Sequence, residues 1–482
     1  MMKMKSLSYY VPLLFILKAT KGYDVPTVAI VGSGIGGSSC AHFLRELMGD
    51  TVKIDVYEAD KIGGRLATRD YKGGTYEVGG CVIHSRNKYM SYFRDKFELE
   101  ETKERSEYAI GIYDQNGIEF ISSEWKLVTF AKMLLRYGYS LFKLDSFIET
   151  MLDEFDRIYE LQLQGKSFET VEDLLGSASA NFLKYLNIDS EDGFSKIAGI
   201  NEVTINDLVR GSLRVNYGQT TNVHLFVGSV SVAGMTGKLW SIEGGNKKIP
   251  ELLIKNNSVN FIHNKVIRII FNDENETYTV ESINQKNGDE LSNTYKFVVL
   301  AHPITDDCKD PIEFINFPNP IKVKGKYHRT VSTILAGNLN GSYFGIKEKK
   351  VPDLVINNDV SKVINSVGRI NPVSTSKLSE SNVWKIFSKR PLTETELDDL
   401  FSERSPCSVV DWLAYPQYTD LGVSSKFILH PGLYYINAIE WAASAMEMSV
   451  IGAKNVALLI SKELSIQVEN EKNFMKNERN EL

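Results

Sequence analysis

A short glycine-rich turn follows the first apolar segment of the chain. Gly32, Gly34 and Gly37 form a GxGxxG string directly after Val28–Val31, which has the composition of a buried strand. In that spacing the first glycine makes a tight turn, the second lets the backbone approach a pyrophosphate, and the third lets a helix pack closely on the strand. The free N–H groups at the start of that helix attract phosphate oxygens. The string predicts a dinucleotide site, although a glycine-rich turn before a helix can also be no more than a turn.

Three further features downstream extend this pattern. Glu58 follows Gly37 by 21 residues, at the predicted end of a second strand, where it can accept hydrogen bonds from a ribose hydroxyl. Residues 63–65, Gly-Gly-Arg, combine close backbone approach with a fixed cationic fork, and the glycines at 79–80 repeat the close approach. This order resembles the flavin enzymes of the glutathione-reductase and amine-oxidase superfamily, and it predicts FAD as the cofactor. The candidate cofactor-binding residues here are Gly32, Gly34, Gly36, Gly37, Glu58, Gly64, Arg65, Gly79 and Gly80.

Later segments resemble the remaining parts of the same superfamily. Ser241–Gly245 is similar to its Gly-Gly turn before a helix, and Phe297–Ala301 is similar to the closing strand of its FAD-binding domain. Near the C-terminus, Leu433–Asn437 is predicted as a strand and Glu440–Ile460 as a long helix whose first turn faces the flavin. The resemblance implies a backbone contact to adenine in the strand that follows the Gly-Gly helix. It adds three cofactor-binding candidates, Val266, Ala443 and Met446.

These segments predict an α/β protein with a Rossmann-type FAD-binding domain and an inserted, mixed α+β substrate domain. Between Trp125 and Leu163 apolar residues recur at helical spacing, which indicates core packing and would also suit a long apolar substrate channel. The first substrate-domain segment is predicted to be largely helical. The predicted boundaries are a signal peptide at 1–22, FAD-binding segments at 25–90, 235–305 and 426–465, substrate-domain segments at 91–234 and 306–425, and a polar tail at 466–482.

Composition restricts the partners and the chemistry. The 482 residues are 43% hydrophobic and 24% charged with a net charge of −6, which is ordinary for a globular protein. No basic block marks a nucleic-acid surface, so no nucleic-acid partner is predicted. Cys40, Cys81, Cys308 and Cys407 lack CxxC spacing, so no metal site is predicted. Cys81 is expected to pack, with a flavin link or redox role as the alternative, and Cys308 and Cys407 can pair in an oxidising compartment.

Both ends of the chain indicate the secretory pathway. Lys3 and Lys5 precede the short apolar run Val11–Leu17, a pattern typical of a signal peptide cut near Gly22 and too short to span a bilayer. No later segment is predicted to cross a membrane. The last four residues, RNEL, resemble a KDEL-type retention signal, or are the chance ending of a polar tail. Sequons for N-glycosylation occur at Asn256, Asn275 and Asn340, and the second of these lies in a polar, hairpin-like stretch.

Longer strings narrow the resemblance to one family. IGGRLATRDYKGGTYEVGGCVIH (62–84), RVNYGQ (214–219), LWSIEGGNK (239–247) and YYINAIEWAASAMEMSVIGAKN (434–455) are similar to the prenylcysteine oxidase family, also called prenylcysteine lyase. The resemblance implies oxidation of S-farnesyl- or S-geranylgeranyl-cysteine from degraded prenylated proteins, with FAD as cofactor and oxygen as acceptor. The products would be cysteine, an isoprenoid aldehyde and hydrogen peroxide. The family is mainly lysosomal, so a lysosome is expected, and RNEL leaves retention in the endoplasmic reticulum open.

Oxidation of this substrate does not require a strong acid or base among the side chains. The carbon next to sulfur is also allylic, so hydride loss gives a cation that sulfur and the alkene both stabilise, after which water adds and the hemithioacetal collapses. The sequence shows no Ser/His/Asp triad. His84 and Glu440 are the catalytic candidates, and the substrate-contact candidates are Arg214, Tyr217 and Trp441. Two alternatives stay open, an amine-type flavin oxidase and a non-catalytic flavoprotein that binds isoprenoids. The oligomeric state is not predicted.

Overall fold

The structure is a computed structural model that describes residues 25–102, 109–115, 117–346, 351–374, 382–419 and 425–480, with side chains described to residue 466. The predicted signal peptide lies outside these ranges, as do the last two residues of the predicted retention signal. None of the described helices is both long enough and apolar enough to cross a bilayer.

Helices and strands of the described chain occur in runs of one kind, with the longest run of α-helices between residues 126 and 233 and the longest run of strands between residues 260 and 388. The strands are β1 (Thr27–Val31), β2 (Lys53–Tyr57), β3 (Thr68–Tyr71), β4 (Gly74–Glu77), β5 (Ile83–His84), β6 (Ile110–Asp114), β7 (Gly117–Ile121), β8 (Leu239–Trp240), β9 (Asn260–Ile262), β10 (Lys265–Asn272), β11 (Thr277–Ile283), β12 (Glu290–Tyr295), β13 (Phe297–Leu300), β14 (Glu313–Ile315), β15 (Tyr327–Leu339), β16 (Leu354–Asn357), β17 (Ile364–Arg369), β18 (Val383–Ser388), β19 (Phe401–Arg404), β20 (Ser408–Pro416), β21 (Ile428–His430) and β22 (Leu433–Tyr435). The α-helices are α1 (Ile35–Met48), α2 (Lys88–Lys96), α3 (Lys126–Tyr137), α4 (Ser140–Leu163), α5 (Val171–Ala178), α6 (Ala180–Tyr185), α7 (Ser190–Asp192), α8 (Glu202–Thr204), α9 (Arg210–Tyr217), α10 (Leu225–Ala233), α11 (Lys248–Asn256), α12 (Glu394–Leu400) and α13 (Met446–Asn480).

A six-stranded, mainly parallel sheet forms the predicted Rossmann layer. Its strand order is β21-β22-β13-β1-β2-β9, and β21 runs antiparallel to β22. Val28–Val31 of β1 pair in register with Phe297–Leu300 of β13, and both runs are buried. Strands buried on both faces are expected when both faces of a parallel sheet are covered. Here α1 packs with α11 and α13, and strands β11 and β12 contact β13 and β1. The predicted α/β, Rossmann-type fold is confirmed.

A four-stranded sheet, β12-β11-β10-β14, lies after α11 in the chain. Its last strand, β14, pairs in parallel with β10 through Arg268 and Glu313. The predicted boundary ended the FAD-binding segment at residue 305, whereas this pairing keeps the chain in the same unit as far as Ile315. Strand β14 was not predicted from the sequence because it has only three residues and its first residue is exposed.

The substrate domain is built from both predicted insertions. Its main sheet has the order β19-β15-β18-β17-β16-β6-β7, with β20 also paired to β15. β6 comes from the first insertion and pairs in parallel with β16 of the second, with Leu354 opposite Ile110. The first insertion is therefore largely helical, as predicted, but it also contributes the β6–β7 hairpin to the shared sheet.

Two of the predicted helices differ in the structure. Residues 125–163 form α3 and α4 with a break at Gly138, whose φ is 59°. The expectation of core packing holds for α4, whose side chains Ile148 and Met151 are buried, but it is wrong for α3, whose leucines face outward.

The C-terminal helix begins at Met446 instead of Glu440. The segment before it, Ile436–Trp441, is a 3-10 turn. The carbonyl of Glu440 accepts the hydroxyl of Tyr418 at 3.0 Å, and the carbonyl of Trp441 is 3.1 Å from Nε2 of His224. Because these carbonyls have partners outside the helix, they do not propagate the i, i+4 ladder. Beyond residue 466 the backbone of α13 continues through most of the predicted polar tail.

All four cysteines are free thiols, so the suggested pairing of Cys308 with Cys407 is wrong. Cys308 bonds the carbonyl of Pro303 at 3.3 Å next to the Rossmann layer, whereas Cys407 packs against the apolar cluster of the substrate domain.

The three sequons differ in accessibility. Asn275 is exposed in the turn between β10 and β11, which confirms the predicted hairpin, and Asn256 is exposed at the end of α11. Asn340 is only partly accessible, since its side chain accepts the N–H of Ser342 and donates to the carbonyl of Asp399. Glycosylation itself stays a prediction.

Candidate active site

A cavity of about 710 Å³ is lined by both domains. The Rossmann layer contributes the glycine-rich turn after β1, the segments around residues 63–66 and 78–82, and the first turn of α13. The substrate domain contributes one side of α4, the ends of α9 and α10, and residues 412–415 of β20. The cavity volume falls in the range of cofactor and small-molecule sites.

The turn after β1 leaves room for a phosphate group. Gly32 has a φ of 107°, and a Cβ there would come within 2.9 Å of the carbonyl oxygen of Ala301. Gly34 has an ordinary φ of −65°, and a Cβ on it would meet no described protein atom closer than 3.7 Å. Both glycines line the cavity, and α1 starts there without a side-chain cap. The uncapped N–H groups and the missing side chains fit a bound pyrophosphate.

Gly37 has a different role from its neighbours in the string. A Cβ on Gly37 would stand 1.9 Å from the carbonyl oxygen of Gly32, and Gly37 is not part of the cavity wall. The residue lets α1 approach the turn, as the motif predicts. Gly36 does line the cavity, and a Cβ there would lie 3.2 Å from a side-chain methyl of Ile436.

The carboxylate of Glu58 is fixed at the end of β2. It accepts the N–H of Ser33 at 2.9 Å, the hydroxyl of Ser33 at 2.6 Å and the N–H of Asp60 at 2.9 Å. Glu58 and Val266 both line the cavity. Their places beside the turn fit the predicted contacts to a ribose and an adenine.

His302 supplies a polar atom that sequence reasoning did not assign. Its side chain lines the cavity, and its Nδ1 is buried without a hydrogen-bond partner among the described residues. Burial lowers the pKa of His302 to about 4, although a hydrogen bond with the backbone of Val31 has the opposite, smaller effect on the pKa. The ring is therefore neutral. An unpartnered nitrogen costs free energy unless a ligand satisfies it, which further fits a cofactor with polar groups here.

Three more predicted glycines bring segments of backbone together beside the cavity. A Cβ on Gly79 would be 1.9 Å from the carbonyl oxygen of Arg65, and one on Gly80 would be 3.0 Å from Leu66. Gly64 lines the cavity with a φ of 57°. Met446, at the start of α13, also lines it, with its methyl 3.7 Å from the position of a Gly80 Cβ.

Arg65 and Glu440 form an ion pair at the cavity wall, in which Glu440 is buried and the side chain of Arg65 is 33% exposed. One guanidinium nitrogen donates to Oε1 of Glu440, and another donates to Oε2 at 3.1 Å. Tyr327 donates to the same carboxylate at 3.0 Å and Asn437 at 2.8 Å. Desolvation disfavours the charge on Arg65, but Glu440 outweighs it and raises the pKa of Arg65. With all of these donors aimed at it, the carboxylate of Glu440 positions Arg65, and the predicted catalytic role of Glu440 stays a prediction.

His84 lines the cavity from the short strand β5. Its Nδ1 accepts the backbone N–H of Arg86 at 3.1 Å, so the proton of the neutral ring sits on Nε2. Burial lowers the pKa of His84, so the neutral ring is the form at neutral pH. Nε2 is itself buried beside Gly237 and near the backbone of Thr236, so the ring presents no exposed donor to the cavity, and the catalytic role of His84 stays a prediction.

The substrate-domain part of the cavity is mainly apolar. Met151, Leu152 and Phe155 of α4 line it, which agrees with the channel considered for this helical segment. Tyr217 lines it as well, and its hydroxyl donates to the carbonyl of Ser444 at 3.1 Å before α13. An apolar pocket of this kind accommodates a long hydrocarbon chain.

Glu447 is a cavity residue that sequence reasoning missed. Its buried carboxylate accepts the N–H groups of Tyr89 and Met90 and the hydroxyl of Tyr159. Burial raises the pKa of Glu447 to about 7, although the three hydrogen-bond donors favour the ionised carboxylate and lower the pKa by a smaller amount. Glu447 lies within the string that carried the family resemblance, but nothing in its spacing distinguishes it from a solvent-facing helix residue.

Three of the predicted contacts are not at the cavity. Arg214 is fully buried and donates to the carbonyls of Asn357 and Ile364, so it ties α9 to the substrate-domain sheet. Trp441 packs near Gly325 and Tyr327 behind the cavity wall. Ala443 is completely buried outside the lining. These assignments are corrected, because family-like strings contain structural residues as well as ligand contacts.

Comparison with known proteins identifies the relatives of this chain. The prenylcysteine lyase family model matches residues 120–473, and a model of NAD(P)-binding Rossmann-like domains matches residues 30–97. Prenylcysteine oxidase 1 of Homo sapiens is 37% identical over 447 residues, which cover 90% of this chain and 88% of that protein. Prenylcysteine oxidase 1-like of Homo sapiens is 33% identical over 457 residues, 92% of either chain. Among solved structures, cyclohexylamine oxidase from Brevibacterium oxydans is similar with a TM-score of 0.57 and 15% identity, covering 91% of this chain and 99% of that chain, and it shares the fold.

Proposed function

The chain belongs to the prenylcysteine lyase family, and from this premise we propose how its cavity acts. The protein is an FAD-dependent oxidase that cleaves S-prenylcysteine to cysteine and an isoprenoid aldehyde. We assign oxygen as the electron acceptor and hydrogen peroxide as its product. One thioether, one oxygen and one water then give one thiol, one aldehyde and one hydrogen peroxide, which balances all atoms and electrons.

One observation carries this proposal. A single cavity joins a glycine-lined dinucleotide site to an apolar wall on α4. The first part has the uncapped helix, the fixed carboxylate of Glu58 and the unpartnered nitrogen of His302, which suit FAD. The second part, with Met151 and Phe155, suits an isoprenoid chain. A thioether between a polar amino acid and a lipid needs both surfaces at one place.

Bound FAD supplies the hydride acceptor for the carbon next to sulfur. The protein's own contribution is orientation and exclusion of water. Apolar side chains hold the prenyl chain, so that the reacting carbon is presented at one position. Arg65, held by Glu440, places a fixed positive charge at the wall. No strong base is needed to begin the reaction, and His84 lines the cavity as a candidate positioning residue.

We propose the secretory pathway as the compartment, with the lysosome favoured and retention in the endoplasmic reticulum as the alternative. The N-terminal lysines with the following apolar run, and the RNEL ending, support this proposal. Exposed sequons at Asn256 and Asn275 are compatible with glycosylation in that pathway.

A product assay tests the proposed reaction. The full chain is produced in a secretory host and incubated in air with S-farnesylcysteine, and thiol, aldehyde and hydrogen peroxide are measured. Equal amounts of the three products are expected. S-dodecylcysteine is the matched control, because its saturated chain keeps the sulfur but lacks the alkene that also stabilises the cation, and it should react far more slowly.

Putrescine and cyclohexylamine provide the second comparison. Peroxide formation with these amines and none with farnesylcysteine would replace the proposal with an amine oxidase. Tight farnesylcysteine binding without any product would replace it with a carrier.

A further inference from the structure

The outward surface of α3 and of the first turn of α4 is apolar. Leu127 and Leu135 are 84% and 89% exposed, which are unusual values for leucine on a helix of a globular protein. A contiguous run of such residues marks an interaction site. We call this set the α3 surface, and it consists of Trp125, Leu127, Val128, Phe130, Leu134, Leu135, Tyr139 and Phe142.

The inward side of α3 is polar instead. Thr129 accepts the N–H of Ser123 at 2.8 Å, and its hydroxyl donates to the carbonyl of Ser123 at 3.0 Å. Arg136 and Tyr137 both bond the buried carboxylate of Asp207, at 2.5 and 3.0 Å. A surface helix normally buries its apolar face and exposes its polar one. α3 does the reverse, and its polar anchors fix the apolar face toward the outside.

Basic residues accompany the apolar ones. Residues 125–144 contain four basic and no acidic side chains, in a chain whose net charge is −6. Arg136 is paired inward with Asp207 and Glu119, whereas Lys126, Lys132 and Lys143 are exposed. Acidic residues, Glu124 and Asp145, lie just beyond both ends.

We propose that the α3 surface binds the face of an anionic phospholipid bilayer, with α3 lying in the plane of the interface. Exposed leucines enter the acyl boundary, Trp125 and Tyr139 sit at headgroup level, and the lysines meet lipid phosphates. The charge pattern argues against a second copy as the occupant. In a two-fold contact this patch would meet its own copy, and neither copy of residues 125–144 has an acidic side chain to pair with the lysines.

α4 connects this surface to the cavity. Phe142 belongs to the α3 surface, and Met151 of the same helix lines the cavity. At 1.5 Å per residue they are roughly 14 Å apart along the helix axis. A prenylated amino acid partitions into bilayers, so docking here brings the cavity next to its substrate. This delivery step rests on the proposed function, but the docking does not.

Vesicle flotation tests the docking without substrate. Vesicles of phosphatidylcholine alone, and of phosphatidylcholine with an equal amount of phosphatidylserine, are mixed with the FAD-loaded full chain. Co-flotation is expected, with tighter binding to the anionic vesicles. The variant L127S/F130S/L135S should bind at least about 10-fold more weakly, since three exposed apolar anchors are removed. Lys126→Glu with Lys132→Glu should remove the preference for phosphatidylserine.

Matched controls separate docking from folding and from chemistry. L163S/V360S/V409S removes three exposed apolar side chains elsewhere and should float like the original protein. All variants should keep their bound flavin and their rate of reaction with detergent-dispersed farnesylcysteine. If the unsubstituted protein itself does not oxidise farnesylcysteine, that result counts against the proposed function and not against the docking. Equal flotation of L127S/F130S/L135S and the original protein would overturn the docking. A lipid-free dimer that this variant converts to a monomer, with no flotation of either, would assign the surface to self-association.

Discussion

Arg65 and Glu440 are 375 residues apart in the chain, yet their side chains form a two-point ion pair at the wall of the cavity. Glu440 is 1% exposed, and its other bonds come from Tyr327 and Asn437. The pair joins the segment after β2 to the turn before α13, so that both sides of the cofactor site are held in one arrangement.

Removing the carboxylate charge should loosen the whole site. We expect Glu440→Gln to lower the free energy of unfolding by about 2 kcal/mol, because the guanidinium loses its charged partner while its exposed third is still reached by water. FAD content should fall with it. Urea unfolding and flavin absorbance measure the two effects. Asp50→Asn breaks the Arg45–Asp50 pair at a carboxylate that is 97% exposed and should cost less than about 0.5 kcal/mol. An equal decrease in the free energy of unfolding in the two variants would show that the Arg65–Glu440 pair does not stabilise the site.

Two glycines of the same string should respond differently to alanine. Gly34→Ala meets no described protein atom closer than 3.7 Å, so it should fold but lose FAD affinity by at least about 10-fold, since the Cβ enters the phosphate space. Gly37→Ala overlaps the carbonyl of Gly32 and should destabilise the fold by more than about 3 kcal/mol. Circular dichroism and flavin content distinguish the outcomes. A Gly34→Ala protein with normal FAD content would place the pyrophosphate elsewhere.

The apolar wall of α4 should control substrate binding more than turnover. Phe155→Ala should raise KM for S-farnesylcysteine by about 10- to 100-fold, because roughly 1.5–3 kcal/mol of apolar burial is lost, and should leave kcat within about 2-fold. Leu163→Ala, at the exposed end of the same helix, is the control. Steady-state peroxide production gives both constants. A large fall in kcat with unchanged KM would mean that Phe155 acts on the reaction itself.

Glu447 should make part of the stability depend on pH. Its pKa is raised to about 7, so the folded state binds a proton that the unfolded chain releases above about 4.5. Its contribution is therefore present below pH 4.5 and is lost as pH rises toward 7. The buried rings of His224, His302 and His328, with pKa values lowered to about 4, act in the opposite direction over a similar range.

The difference in the free energy of unfolding between the original protein and the Glu447→Gln variant isolates the contribution of Glu447. Relative to the original, the glutamine variant should gain stability between pH 4.5 and 7, at up to about 1.4 kcal/mol per pH unit. Denaturant unfolding at several pH values measures it. A difference that stays constant with pH would show that Glu447 is ionised throughout.

The sequence was sufficient for the Rossmann layer because its signals are local. The spacing of Gly32, Gly34 and Gly37 and the position of Glu58 each report a short backbone geometry, and the structure places them as expected around one turn. The side chains of Met151 and Phe155 could also be predicted to share one side of a helix, since their spacing in the sequence is helical.

The rest depends on contacts between distant segments. The role of Glu440 follows from Arg65 and Tyr327, and that of Arg214 from carbonyls of β16 and β17, none of which local patterns reveal. The start of α13 was predicted too early because Tyr418 and His224 occupy carbonyls before it. Outward leucines on α3 were missed because helical periodicity marks an apolar face without telling what it faces.

An anaerobic flavin spectrum shows whether prenylcysteine reduces the flavin of this protein. The FAD-loaded protein is titrated with S-farnesylcysteine in the absence of oxygen while the oxidised flavin band is followed. We expect bleaching with release of cysteine and farnesal, and recovery of the band with formation of hydrogen peroxide when air is admitted. A yellow protein whose band farnesylcysteine leaves unchanged, although the ligand binds, would contradict it.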